Sequence, residues 1–225
     1  MTPPLALDID GTLTTEAHRI DPRVFERLPE WPAPIVIATG KSFPYPIALC
    51  HFLGIPERVV AENGGVVCVD DQLSFQGDRA AAEAAIEQFV ERGGELGWGG
   101  ADTTNRWRES EIAASIDADE DLLRDVAAEF DLEVVDTGYA YHLKTPGVEK
   151  GDGLVAAAEL LDLDPTEFVA VGDSENDVSL FEAAGDSFAV ANADDRARAA
   201  AETVLTESYF DGTLSVLESL VAGDE

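Results

Sequence analysis

The sequence predicts an α/β fold, in which a mainly parallel sheet carries a smaller α/β domain as an insertion. Short apolar runs at residues 5–7, 35–38 and 168–171 end in polar residues or glycine, a pattern typical of strands buried on both faces of a parallel sheet. Helical patterns separate these runs, which indicates βα units. From about residue 78 to about residue 142 shorter helices and strands mix, and this change predicts the inserted domain.

Charge limits the partners of the chain. Of its 225 residues, 46 are acidic and 14 are Lys or Arg, so the formal net charge is −32. Such a charge repels nucleic acid and anionic membranes. The acids are dispersed through the sequence, which favours a halophilic source. We therefore predict no nucleic-acid partner, no membrane partner and a surface adapted to high salt.

Localisation and redox state follow from other features. Residues 1–4 lack the basic and apolar regions of a signal peptide, and no apolar run is long enough to cross a bilayer. We expect a cytoplasmic protein, either a monomer or a homodimer. Cys50 and Cys68 have neither metal-ligand spacing nor a disulfide pattern, so we expect both to be reduced and buried.

The first apolar run ends in two acids. Asp8 and Asp10 are two residues apart and project to the same side where the backbone stays extended. Carboxylates this close repel each other. A hard divalent cation with oxygen ligands, most simply Mg²⁺, would resolve the conflict. The alternative is a solvated strand end that happens to be acidic.

The second strand, at residues 35–38, leads into Thr39 and Gly40, and a helix is predicted at residues 47–53. A hydroxyl group and backbone N–H groups at a strand's carboxyl end can bind a phosphate. An ordinary strand-to-helix turn is the alternative. The role of Lys41 is left open.

The insertion at residues 78–142 carries no recognisable chemical motif. We expect His142, near its end, to be a packed or hinge residue rather than a catalyst. The elements predicted within it are helices at 80–92 and 121–130 and strands at 112–116, 132–135 and 139–143.

Lysine is scarce, since the chain has only Lys41, Lys144 and Lys150. Lys150 precedes a predicted helix at residues 152–161, and a cation there opposes the helix dipole by up to about 1 kcal/mol. This placement indicates a compensating anion, with a surface lysine in a loop as the alternative. Lys144 is the weaker candidate for the same task.

The strand at residues 168–171 ends in a second acidic pair, Asp173 and Asp177, at the start of the next helical run. The pair suits the same metal, although acids at a helix start also serve as caps. Strands at 188–193 and 203–206 and a terminal helix at 212–220 are predicted to complete the sheet and its cover.

In this order, the four segments resemble the four motifs of the haloacid dehalogenase superfamily. The matching residues are Asp8 to Thr12, Thr39, Lys150 with Gly151, and Gly172 to Asp177. The resemblance implies a Rossmann-like core formed by residues 1–77 and 143–225, with residues 78–142 as an inserted α/β cap domain.

The resemblance also implies the roles of the site residues and a small phosphorylated metabolite as substrate. Asp8 would be the nucleophile and Asp10 the general acid/base. Mg²⁺ would bind Asp8, the backbone carbonyl of Asp10, Asp173 and, in support, Asp177, while Thr39, Gly40, Lys150 and Asn176 would bind the phosphate.

Within the superfamily the chain is most similar to archaeal phosphoglycolate phosphatases, through Glu62-Asn63-Gly64 and residues 147–151 and 172–177. This implies hydrolysis of 2-phosphoglycolate to glycolate and phosphate. The alternatives are a sugar-phosphate phosphatase, a phosphomutase and, from another class, a phosphorylatable receiver-type signalling domain. The insertion and Asp10 argue against a receiver.

Overall fold

A computed structural model describes residues 2–137 and 140–222. Eight of its strands form one sheet in the order β11-β10-β9-β1-β2-β3-β4-β5, and three form a second sheet in the order β6-β8-β7. The strands are β1 Leu5–Leu7, β2 Ile35–Ala38, β3 Arg58–Ala61, β4 Val66–Val69, β5 Gln72–Phe75, β6 Ile112–Ser115, β7 Glu133–Asp136, β8 Ala140–Lys144, β9 Val169–Gly172, β10 Asp186–Ala189 and β11 Thr203–Val204. The α-helices are α1 Val24–Arg27, α2 Pro44–Leu53, α3 Arg79–Glu91, α4 Glu120–Glu129, α5 Lys150–Leu160, α6 Val178–Ala183, α7 Asp195–Ala200 and α8 Tyr209–Ala222.

The large sheet is parallel from β11 to β3, and only β4 and β5 run antiparallel to their neighbours. Strand β1 lies in its middle, between β2 and β9, and all three strands are buried along their whole length. Burial on both faces explains why these segments are continuously apolar rather than alternating. The predicted mainly parallel sheet is confirmed.

The smaller unit, which we call the cap, runs from α3 to β8. Its antiparallel sheet is covered by α3 and α4, and the unit has an apolar core of its own, separate from that of the large sheet. Phe89, Leu123 and Leu143 are among its fully buried side chains. The fold class is therefore confirmed. The boundary after residue 142 stays a prediction, and β8 continues in the cap sheet to Lys144.

One strand was not predicted, one helix is shorter than its pattern indicates, and part of one predicted strand is not tested. Residues 72–75 form β5, which was not predicted because its polar and apolar residues alternate over only four positions; in the structure its side chains are mostly exposed. Residues 21–28 have a helical pattern with Asp21 as a plausible cap, but the helix is only Val24–Arg27, since the Asp21 carboxylate accepts a hydrogen bond from the Arg23 N–H and makes a turn there. Tyr139, placed in a predicted strand, lies outside the described residues.

Two further features concern the whole of the described chain. Cys50 and Cys68 are free and buried, as predicted. Among residues 2–137 and 140–222, no helix combines the length and the apolar composition that a membrane span requires.

Candidate active site

The predicted site residues from the core converge at the carboxyl ends of the central strands. Asp8 follows β1, Thr39 follows β2 and Asp173 follows β9. Because β2 and β9 flank β1 on opposite sides, this edge is a topological switch point, where open α/β sheets bind their ligands. The fold thus brings together groups that lie up to 165 positions apart in the sequence.

Lys150, the first residue of α5, is buried between two carboxylates. Its Nζ donates hydrogen bonds to Asp8 Oδ1 at 2.8 Å and to Asp177 Oδ1 at 2.6 Å. Burial lowers the pKa of Lys150, but the charges of Asp177 and Asp8 outweigh it and hold the pKa above its ordinary value. A lysine at a helix start was expected to have a compensating anion, and the structure supplies two of them as protein side chains.

Asp177 supports this cation and its own loop. While Oδ1 binds Lys150, Oδ2 accepts hydrogen bonds from the N–H groups of Asp173 at 3.0 Å and Ser174 at 3.1 Å. Both oxygens of Asp177 are thus engaged by the protein. Its assignment as a supporting metal ligand stays a prediction, and these contacts give it the additional task of orienting Lys150 and Asp173.

The carboxylates of Asp8, Asp173 and Asp177 form a group that fits a divalent cation. Each offers an oxygen, and these oxygens all lie within 4.8 Å of one another. Three negative charges against the one positive charge of Lys150 leave two unbalanced. Gly11, at a φ of 79°, allows this proximity, since a Cβ there would lie 1.9 Å from Asp173 Oδ2. Mg²⁺ carries two positive charges and prefers oxygen ligands, so it fits a site with carboxylate oxygens and two uncompensated negative charges.

The pKa values of Asp8 and Asp173 reflect this excess of negative charge. Burial, opposed by Lys150 and reinforced by Asp177 and Asp10, raises the pKa of Asp8 to about 7. Burial, together with the charges of Asp8 and Asp177, raises the pKa of Asp173 to about 8. Without a cation the site therefore holds protons near neutral pH.

We expect the metal-free protein to lose stability as pH rises from about 4 to about 8. A carboxyl group whose pKa is raised in the folded state stabilises that state while it is protonated, and this contribution disappears through the folded pKa. Mg²⁺ competes with these protons, so the melting temperature should rise by several degrees on adding Mg²⁺ at pH 8 and far less at pH 5.

The measurement is a thermal melt in EDTA and in Mg²⁺ at constant KCl, with Asp173→Asn as control. This variant should lose most of the Mg²⁺ effect at pH 8. An equal Mg²⁺ shift at both pH values, or an unchanged shift in Asp173→Asn, would contradict the assignment of the metal site.

Asp10 and Thr39, which follow neighbouring strands, differ in their exposure to solvent. The side chain of Asp10 is half exposed, and Lys41 Nζ lies 2.8 Å from its Oδ2. Thr39 is buried, and its Oγ accepts a hydrogen bond from the Lys41 N–H at 3.1 Å, so its hydroxyl proton can be donated to a ligand. The structure thereby gives Lys41, whose role the sequence left open, a contact with the predicted general acid/base.

Two amides stand beside the predicted phosphate loop. Asn176 Nδ2 donates a hydrogen bond to Asn63 Oδ1 at 3.0 Å, which connects the loop after β9 with the loop after β3. Gly40 lies under this pair, and a Cβ added to it would be 2.8 Å from Asn63 Oδ1. Gly40 and Asn176 were predicted site residues. Asn63 was not, although its Glu-Asn-Gly segment was noted as part of the resemblance.

The cap contributes a buried polar cluster that the sequence did not reveal. Glu111 contacts Asn63, Arg108 and His142, and all four side chains are buried. His142 is packed, as expected, with its Nδ1 2.7 Å from Glu111 Oε1. Lys144 instead lies 3.2 Å from Glu133 in the cap sheet. No motif marks these cap residues, and only the nearby Glu62-Asn63-Gly64 segment could have pointed to them.

An open cleft between core and cap adjoins the carboxylate group. Its volume is about 750 Å³, and Asp173, Asn176 and Asn192 line it from the core while Arg124 and Val135 line it from the cap. The cleft is large enough for a small metabolite and gives it access to the carboxyl ends of the central strands.

The fold and this site define a class of enzyme, and comparison with known proteins agrees. The family model of haloacid dehalogenase-like hydrolases matches residues 5–98 and 107–217. The chain belongs to this family and is one of its phosphatases.

The relatives have a more specific name. The phosphoglycolate phosphatase of Halorubrum lacusprofundi is 63% identical over 98% of both chains. Those of Halobacterium salinarum and Methanosarcina acetivorans are 53% and 36% identical, covering 97% and 96% of this chain and 97% and 95% of theirs. The first two sources agree with the halophilic character predicted from the charge.

Solved structures agree on the fold. A Thermoplasma acidophilum protein superimposes with a TM-score of 0.84 at 26% identity, with 98% of both chains covered. A Thermotoga maritima protein gives a TM-score of 0.78 at 20% identity, with 97% of both chains covered. The arrangement of core and cap is therefore shared by proteins with little sequence in common.

Proposed function

We propose that the chain hydrolyses phosphomonoesters by way of a phosphorylated Asp8, with Mg²⁺ as cofactor and 2-phosphoglycolate as substrate. The observation that carries the proposal is the Asp8 carboxylate, buried at the end of β1, in contact with Lys150 and grouped with Asp173. An anionic nucleophile approaches an anionic phosphate only where positive charge offsets their repulsion, which Lys150 and a cation held by Asp173 would supply.

In the first step Asp8 attacks phosphorus. Lys150 holds Oδ1 of Asp8, and we assign the attack to the other oxygen, Oδ2. A bond forms between this oxygen and phosphorus while the bond from phosphorus to the substrate oxygen breaks. The proton of Asp10 goes to the departing alkoxide, so the alcohol leaves and Asp10 becomes a carboxylate. Thr39 Oγ–H and Lys150 stabilise the phosphoryl oxygens as charge redistributes.

In the second step water releases the phosphate. Asp10 takes a proton from a water molecule whose oxygen attacks the phosphorus of the aspartyl-phosphate. The bond from phosphorus to Asp8 breaks, and inorganic phosphate, Asp8 and protonated Asp10 result. The half-exposed position of Asp10, beside Lys41, allows contact with both the leaving group and solvent.

Mg²⁺ would be held by Asp8 and Asp173, with the Asp10 backbone carbonyl and Asp177 in support. When bound, it supplies positive charge that offsets the repulsion between the carboxylates and the phosphate. The raised pKa values of Asp8 and Asp173 support this assignment, because they reflect negative charge that the protein alone does not balance.

The substrate is proposed from the relatives at 52–63% identity that carry the name phosphoglycolate phosphatase. Asn176 lines the cleft and offers a polar group to a small acid. We further propose a cytoplasmic enzyme. Its state as a monomer or homodimer stays a prediction.

A panel of phosphorylated compounds tests the substrate. We expect 2-phosphoglycolate to be hydrolysed with a kcat/KM at least about tenfold above that of sugar phosphates. A site that forms hydrogen bonds with the carboxylate of phosphoglycolate discriminates against compounds that lack this group. The measurement is phosphate release in Mg²⁺ and KCl, with excess EDTA as control. Full activity in EDTA would contradict the metal assignment.

The same panel separates the alternatives. Faster release from sugar phosphates would favour the sugar-phosphate phosphatase, and transfer to a second sugar hydroxyl would favour the phosphomutase. A receiver-type domain would release about one equivalent of phosphate per chain from acetyl phosphate and then stop.

A further inference from the structure

One carboxylate of the cap reaches the loops that surround the predicted phosphate position. Glu111, just before β6, is 1% exposed. Its oxygens accept hydrogen bonds from Asn63 Nδ2 at 3.4 and 3.2 Å, and its Oε1 also pairs with Arg108 Nη1. This contact between cap and core joins residues 48 positions apart.

From these contacts two short paths lead into the core. The first runs through Asn63, whose Oδ1 accepts a hydrogen bond from Asn176 Nδ2 at 3.0 Å. The second runs through Arg108, whose Nη1 donates a hydrogen bond to the carbonyl oxygen of Gly40 at 3.1 Å. Glu111 is thus connected to the loop after β9 and to the loop after β2, the two loops that hold the predicted phosphate ligands Asn176 and Gly40.

The charge of Glu111 fixes the direction of the Asn63 amide. Burial would raise the pKa of Glu111, but His142 and Arg108 outweigh it and lower the pKa to about 2, so the group is an anion. A carboxylate anion only accepts hydrogen bonds. Asn63 must therefore turn its NH₂ group to Glu111, which leaves its oxygen for Asn176.

A second carboxylate, that of Glu62 in the core, also holds the cap. Glu62 accepts hydrogen bonds from the N–H groups of Glu109 and Ser110 and from Ser110 Oγ, at 2.7 to 3.1 Å. Glu111→Gln removes none of these bonds, so attachment of the cap does not rest on Glu111 alone.

We propose that Glu111 is a positioning residue for phosphoryl transfer, which acts by orienting the amides of Asn63 and Asn176. The expected effect of Glu111 on kcat rests on the proposed function. The inference assigns a positioning role in the core site to a cap residue that lies outside all four motifs.

The test compares Glu111→Gln with Glu109→Gln, the same change two residues away on an exposed side chain. Glutamine keeps the size of Glu111 but can present an NH₂ group to Asn63, so the amide loses its fixed direction. We expect kcat to fall between about 10-fold and 100-fold, since a small misplacement of positioning groups costs that much. KM should change less, and Glu109→Gln should behave as the wild type.

A double-mutant cycle with Asn63→Ala shows whether Glu111 acts through the amide. The combined loss in kcat should be smaller than the product of the two separate losses by at least about threefold. Independent, multiplying effects would overturn the proposal. So would a loss of activity in Glu111→Gln that is matched by an equal loss of folded protein at the assay temperature, measured by circular dichroism, because fewer folded molecules would then account for it.

Calorimetric binding of inorganic phosphate in Mg²⁺ keeps the inference separate from the proposed function. Glu111→Gln should bind phosphate several-fold more weakly than Glu109→Gln, whether or not any ester is turned over. If wild-type protein hydrolyses no ester, the proposed function fails while this comparison still decides the role of Glu111. Equal phosphate binding and equal kcat in the two variants would overturn the inference alone.

Discussion

Replacement of Asp8 by Asn is expected to reduce turnover of phosphomonoesters below about 10⁻⁴ of the wild-type rate, because removing a covalent nucleophile leaves only the binding groups to act. The amide keeps the size of the side chain but cannot attack phosphorus. Phosphate release from 2-phosphoglycolate in Mg²⁺ measures the loss. A folded Asp8→Asn protein that keeps a few per cent of the activity would remove Asp8 from this role.

The fold should survive this change. The ionised Asp8 carboxylate is buried beside Asp173 and Asp177, and burial raises its pKa to about 7, so a neutral amide relieves repulsion at pH 8. Lys150 keeps its bond to Asp177. The melting temperature in EDTA at pH 8 should therefore equal or exceed that of the wild type, which excludes misfolding as the cause of inactivity.

Asp10→Asn is the matched control for the chemistry. It removes proton transfer, which contributes roughly 10²- to 10⁴-fold, and leaves the nucleophile in place. With acetyl phosphate, whose acetate leaves without a proton, phosphorylated protein should form and persist in Asp10→Asn, because its hydrolysis lacks the base, and be absent in Asp8→Asn. Equal labelling of the two variants would contradict the assignment of separate roles.

Three residues of the site could be predicted because each follows an apolar run. Asp8, Thr39 and Asp173 come directly after buried strands, and parallel strands bring their carboxyl ends to one edge whatever the connections between them. The local pattern was therefore sufficient to place them. Lys150 was found through the scarcity of lysine and its unfavourable position at a helix start. The catalytic roles of these residues stay predictions.

The cap cluster could not be predicted, for a physical reason. Glu111 is one of 46 acidic residues, and nothing in its neighbours distinguishes it from a solvated one. Its burial depends on how the cap lies against the Glu62-Asn63-Gly64 turn, which is a tertiary contact without a local signal. Strand β5 was missed although Leu73 and Phe75 alternate with polar residues, because the run is only four residues long and pairing with β4 determines its conformation.

Lys150→Met is expected to abolish most activity and to destabilise the protein in a way that depends on pH and Mg²⁺. The side chain is fully buried and pairs with Asp8 and Asp177, so its removal leaves two buried carboxylates without a cation. Removing one partner of a buried ion pair costs about 3–5 kcal/mol. In a chain of this size the melting temperature should fall by roughly 10 °C in EDTA at pH 8.

Acid and Mg²⁺ should each reverse part of this loss, for the same electrostatic reason. Lys150 lowers the pKa of Asp8, so in its absence the carboxylates bind protons more tightly in the folded state. The deficit relative to wild type should therefore shrink as pH falls from 8 to 5, and Mg²⁺ at pH 8 should reduce it by supplying the missing positive charge. Lys144→Met removes another buried lysine, whose partner is Glu133 rather than the site carboxylates, and its deficit should not respond to Mg²⁺. If Lys150→Met shows the same deficit at both pH values, with and without Mg²⁺, then Lys150 does not balance the charge of the Asp8 group.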